Sequence, residues 1–179
     1  MDASARVPDT RAGDRLSPRE QGTQKITPFL WFDGKAEEAA NFYVSVFKNA
    51  KIVSVTHYGE AGPAPKGTVM TVAFELDGQK FVALNGGPQF TFSPATSFVV
   101  NCETQAEVDA FWERLSAGGK TQGCGWLTDK FGLTWQIIPT VLPELLTHQD
   151  PAKASRAMKA MMQMVKIDIE ALRRASRDE

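Results

Sequence analysis

Cysteine and histidine are scarce in this sequence, with two of each among 179 residues. Two cysteines, Cys102 and Cys124, are too few for a disulfide framework, so the sequence predicts free thiols in a reducing, cytoplasmic setting. The histidines, His57 and His148, read as surface or satisfied core residues. Excess charge is missing too: the formal net charge is −1, which gives no electrostatic footprint for DNA or RNA. No apolar run approaches the roughly 20 residues that a membrane span needs. What is left is an ordinary globular composition, 42% apolar and 23% charged, of a length that suits one domain or two small repeats sharing a core.

Large apolar residues are nearly absent from residues 1–24, which carry four Arg, four acidic residues and two Pro. Such a segment cannot bury enough surface to offset its ordering entropy, so a disordered tail is expected. It has no hydrophobic stretch of the secretory type, and its acidic residues argue against a mitochondrial presequence. A folded domain is expected over 25–140, in two units at 25–88 and 94–140, followed by a helical extension over 141–179.

The stretch Gly123 to Pro139 organises the chain. It reads as strand, turn, strand, with Gly132 in the tight turn Asp129-Lys130-Phe131-Gly132. Leu133, Trp135 and Ile137 alternate with Thr134, Gln136 and Ile138, the period of a strand with two different faces. Gln136 is the polar side chain among apolar neighbours, and Trp135, out of phase with it, should face a helix.

Upstream, Ile26 to Phe32 reads as a strand and Lys35 to Lys48 as a helix with Ala36, Ala39, Ala40, Tyr43, Val44 and Phe47 at helical spacing. Ile52 to Tyr58 follows as a strand. Thr68 to Leu76 and Lys80 to Asn85 form a hairpin around Asp77-Gly78. The order then restarts. A strand over Thr96 to Cys102 leads to a helix over Gln105 to Ser116, with Thr104 as N-cap and Glu107 completing a capping box. Gly118-Gly119 ends that helix, and Lys120 to Cys124 is a short strand.

Asn41-Phe42-Tyr43 aligns with Ala110-Phe111-Trp112, and with a different offset Gly78 aligns with Gly132. The second unit is therefore the first with a shortened middle. Each unit reads β-α-β-β-β. The fold class expected is α+β, with two such modules curving into a half-open barrel around a cavity, and helices beyond Pro139. One long helix from Pro151 carries Ala154, Met158, Met161, Met162, Val165, Ile169 and Leu172 as its stripe, packed on its own domain or on a partner subunit.

The stretches TPFLWFDGKAEEAANFY, LNGGPQF, SFVVNCETQAEVDAFWERLSAGG, CGWLTDKFGLTWQIIP and KIDIEAL resemble the PhnB-like branch of the vicinal oxygen chelate superfamily, described as the 3-demethylubiquinone-9 3-methyltransferase domain. The resemblance implies a homodimer in the cytoplasm of a bacterium-like cell. It also places the superfamily's metal ligands. Their positions fall on Ser97, on Gln136, on its counterpart Val82 and near Thr27 or Pro28. A hydroxyl, an amide and an apolar side chain are a poor set for a dication, so no metal and no cofactor is expected.

Methyl transfer from S-adenosylmethionine ordinarily uses a glycine-rich loop opening a helix. Gly86-Gly87 is followed by Pro88, and Gly123-Cys124-Gly125 lies between strands, so neither fits. Cys124 and Ser97 are nucleophile candidates without an adjacent base, and Cys124 reads more simply as a small buried hydrophobe. The leading expectation is a metal-free protein that binds a small organic molecule, with Gln136, Ser97, Val82, Thr134, Val99 and Trp126 lining the site. A ligand or water, rather than Ser97, is expected to satisfy the Gln136 amide. Two rivals stand beside it. One is an enzyme acting on a small carbonyl or quinone, with Glu75 or Asp129 recruited as acid or base. The other is a non-catalytic structural or regulatory dimer.

Overall fold

Alternation of period two and then of period 3.6 repeats twice along the chain, and the secondary structure follows it. A computed structural model describes Gln24 to Arg177. The expected tail lies, up to residue 23, outside the described residues. The first module runs β1 (Phe29–Phe32), α1 (Ala36–Val46), β2 (Ala50–His57), β3 (Val69–Leu76) and β4 (Gln79–Asn85). The second runs β5 (Phe98–Cys102), α2 (Gln105–Ser116), β6 (Lys120–Thr121), β7 (Trp126–Thr128) and β8 (Thr134–Pro139). Their sheets have the same order, β1-β4-β3-β2 and β5-β8-β7-β6. In each, the first pair is parallel and the others are antiparallel. The architecture is thus α+β, with two four-stranded mixed sheets that do not close into a barrel.

Local chemistry sets the turns. Asp77 and Gly78 both take positive φ, 48° and 83°, as the two-residue hairpin requires. At α2 the Thr104 hydroxyl accepts from the Glu107 N–H at 3.2 Å. The Glu107 carboxylate reaches back to the Glu103 N–H at 2.7 Å, one residue earlier than a standard capping box.

One face of each sheet takes a helix. Ala36, Ala39 and Ala40 are fully buried and let α1 lie close on Phe74, Phe81 and Ala83. Val108 and Leu115 of α2 cover Val100, Leu127 and Ile137. The two modules share one core. Tyr43 of α1 lies 5.5 Å from Trp135 of β8, centroid to centroid, and Phe47 lies 5.0 Å from Phe111. Trp135 is 2% exposed and faces the helical side, as its phase in the strand requires. The opposite sheet faces stay open: Phe29 of β1 is 59% exposed and Val99 of β5 is 49% exposed.

The C-terminal region departs from the sequence expectation. The single long helix is two, α4 (Pro151–Met162) and α5 (Ile169–Arg177), preceded by α3 (Val141–Leu146). The break has a cause outside the segment. The Met164 and Val165 carbonyls accept hydrogen bonds from the Cys124 and Gly125 N–H groups, both at 2.8 Å. A helix continuing through these residues would keep those carbonyls for itself. Asp168 then caps α5 through the Ala171 N–H. The three helices pack on their own chain: Leu142 of α3, Ile167 of the α4–α5 connection and Leu172 of α5 cluster with Ala160 and Met161 of α4 and Ile138 of β8. The strand expected over Lys120 to Cys124 ends at Thr121, because Cys124 turns with φ +61°. Among the described residues no helix is long and apolar enough to cross a membrane.

Candidate functional site

The register puts Gln136 between Val99 of β5 and Trp126 of β7. In the first sheet Val82 sits between Phe29 of β1 and Ala73 of β3. Gln136 and Val82 therefore hold equivalent places in the two modules. Strand alternation adds Thr134 and Ile138 to the Gln136 face and puts Ser97, just before β5, at its end. Five of the six residues singled out from sequence thus share one face of the second sheet, while Val82 lies on the other sheet.

This face has a definite polarity. The Gln136 Nε2 donates to the Ser97 Oγ at 2.8 Å, so a protein group already meets the amide that was expected to await ligand or water. Ser97 can reach it because β5 and β8 are parallel neighbours in register. The Thr134 hydroxyl, two residues along, is buried and has no hydrogen-bond partner among the described residues. Such an orphaned group costs about 1–3 kcal/mol. Ile138 closes one end of the face against the C-terminal helices.

These residues do not fit a divalent cation. The donors are a hydroxyl and an amide that bond each other, and the equivalent position in the first sheet is apolar. Among the described residues no three His, Cys, Asp or Glu side chains converge. The glycines do not fit a nucleotide either. Gly86 is followed by loop, and a Cβ there would sit 2.3 Å from the Trp31 ring, so the missing side chain makes room for an indole.

The two acids held as alternatives sit in different surroundings. Glu75 lies on the first sheet, 3.9 Å from the Lys51 Nζ. Asp129 is 3% exposed, and its carboxylate accepts four hydrogen bonds. The Phe131 and Leu133 N–H groups reach Oδ1 at 2.8 and 3.1 Å. The Tyr43 hydroxyl and the Trp135 indole N–H reach Oδ2, both at 2.9 Å. All its acceptor positions are taken. Burial pushes this carboxyl up, and the bonds from Trp135, Tyr43 and the two backbone groups pull against that shift. The Tyr43 phenol is raised by burial and then by the charge of Asp129, so it stays a neutral donor. Burial also pushes the Cys102 thiol up to about 12, with Glu107 adding to it, which leaves it unreactive.

Sequence reasoning missed this network because Tyr43 and Asp129 are 86 residues apart. The readable trace was an Asp at the start of the turn that Gly132 ends. It also missed Arg114, which donates to the Val46 carbonyl at 2.9 Å and to the Ser45 carbonyl, tying α2 to the C-terminal end of α1.

No curated protein sequence matches this chain. Among solved structures it is similar to a PhnB protein of Bacillus cereus that carries the 3-demethylubiquinone-9 3-methyltransferase description. Their identity is 43% and the TM-score 0.60, over 65% of this chain and 100% of that one. A Pseudomonas aeruginosa protein, PA1353, is similar at 22% identity and TM-score 0.54, over 64% of this chain and 96% of that one. The fosfomycin resistance protein FosX of Listeria monocytogenes matches at 16% identity and TM-score 0.50, over 68% of this chain and 95% of that one, a likeness of fold alone. The family model for 3-demethylubiquinone-9 3-methyltransferase matches residues 24–138, both modules together. With that match over most of the chain, on two modules of one topology, this protein belongs to the 3-demethylubiquinone-9 3-methyltransferase family, the PhnB-like branch of the vicinal oxygen chelate superfamily.

Proposed function

We propose that the chain binds a small organic molecule on the Gln136 face of the second sheet, without a metal and as a cytoplasmic homodimer. The observation that carries this reading is the half-buried Gln136–Ser97 pair, a polar couple on the open face beside the exposed Val99. A ligand with a hydrogen-bonding edge meets the Gln136 amide oxygen, while Val99 and Trp126 supply apolar contact. A second copy supplies the wall that this open face lacks in one chain, with Val82 of its first sheet as a lining residue. Native mass spectrometry of the purified protein tests the parts together. Two chains of 19.6 kDa with a retained organic molecule are expected. Stoichiometric divalent metal that survives dialysis, or a clean monomer, overturns the proposal.

Gln136→Leu is the sharper test. It removes one side-chain hydrogen bond and should cost the unliganded protein only about 1 kcal/mol. The rise in melting temperature given by the co-purifying molecule should fall well below that of wild type, since a native-state ligand stabilises according to its affinity. Equal ligand-induced shifts in the two proteins would remove Gln136 from the site.

A further inference from the structure

A crevice of about 900 Å³ runs between the two modules, against α2 and the end of α1. Of the residues on the Gln136 face discussed above, only Val99 touches it, at the edge of β5. Its floor is aromatic and comes from both modules. Phe47 and Phe111 meet at 5.0 Å, Phe81 and Phe98 at 5.3 Å, and Trp135 lies within 6.0 Å of Phe47 and 5.7 Å of Phe98. Phe47, Phe98 and Phe111 are only half-buried, so rings that could close the core keep an accessible side.

The rim is neutral in sum. Arg114 and Lys48 stand with Glu107 and Asp77. Arg114 is held by the α1 carbonyls and Glu107 by the Glu103 N–H, so neither is set up to capture an ionic ligand. Asn49, Gln79 and Asn101 add exposed amides. On the α2 side the lining residues include Ala106 and Ala110, both exposed, and larger side chains there would fill the opening. The volume lies within the roughly 300–1,000 Å³ of small-molecule sites.

We infer that this crevice is a second binding site, taking an uncharged aromatic molecule about the size of naphthalene between the phenylalanine pairs. Edge and offset contacts between rings favour a flat aromatic over an aliphatic chain, and the amides can meet a ring substituent. This does not rest on the reading of Gln136.

The full-length protein titrated with N-phenyl-1-naphthylamine, a neutral probe that fluoresces in apolar surroundings, tests it. A saturable rise at about one probe per chain is expected. Ala110→Phe and Ala106→Leu should each weaken the probe by about tenfold or more with the melting temperature unchanged, because both sites are exposed on α2. Three results overturn the inference. In the first, both variants keep wild-type affinity. In the second, Gln136→Leu abolishes the signal, which puts the probe on the other face. In the third, affinity falls as protein concentration rises, which puts a second copy of the chain in the crevice.

Discussion

Asp129→Asn should lower the stability of the chain by about 4 kcal/mol, with the four donors around that carboxylate as the cause. An amide offers one acceptor oxygen where the carboxylate offers two. Either the Phe131 and Leu133 N–H groups or the Tyr43 and Trp135 donors then face an NH₂ group. Two buried donors left unpaired cost about 1–3 kcal/mol each, and opposed donors add to that. For a chain of this size the melting temperature should fall by roughly 8–16 °C. Tyr43→Phe removes one donor and leaves the other three in place, so its cost should be only about 1 kcal/mol. Urea denaturation of the two variants makes the comparison. An Asn variant within 1 kcal/mol of wild type would show that the network contributes little.

Gly119→Ala should cost about 3 kcal/mol, at the upper end of ordinary overpacking. A Cβ at this position would lie 2.1 Å from the Thr128 carbonyl oxygen and 2.9 Å from the Asp129 Cα. Both are backbone atoms, at the end of β7 and the start of the turn after it, and cannot swing aside as a side chain can. The neighbouring Gly118 needs glycine for a different reason, its φ of +74°, and a Cβ there meets only the Lys130 Cβ at 3.4 Å. Gly118→Ala should cost about 1–2 kcal/mol, the penalty for a left-handed residue. Equal losses for the two variants, measured by denaturant unfolding, would contradict the close approach.

The adjacent glycines show how far sequence reading carried. A Gly-Gly pair after Ser116 announces the end of a helix, and α2 ends there. That one glycine serves the turn and the other a strand behind it is not a local signal. The same division holds elsewhere. The Thr104 cap, the Asp77-Gly78 hairpin and the alternation of Leu133, Trp135 and Ile137 are set by near neighbours, and each was readable. The likeness of the two modules was readable too, down to the equivalence of Gln136 and Val82. Partnerships across the chain were not. Tyr43 meets Asp129 across 86 residues, and the break between α4 and α5 answers to Cys124 and Gly125. The crevice needs four phenylalanines from both modules in one place, and spacing within either module carries no trace of it.

The contact between the α4–α5 connection and the Cys124-Gly125 turn has a consequence for colloidal behaviour. In the first module the outer strand β2 has eight residues. In the second, β6 has two, and the chain then turns through Cys124 and Gly125, whose N–H groups no strand of the sheet takes. Unguarded strand margins are where chains add to one another and grow into fibrils. The Met164 and Val165 carbonyls occupy both of these turn donors with a short length of the chain's own backbone. A chain deprived of the C-terminal helices should therefore expose two unpaired donors at the entry to β7 and self-associate there more readily than the intact chain.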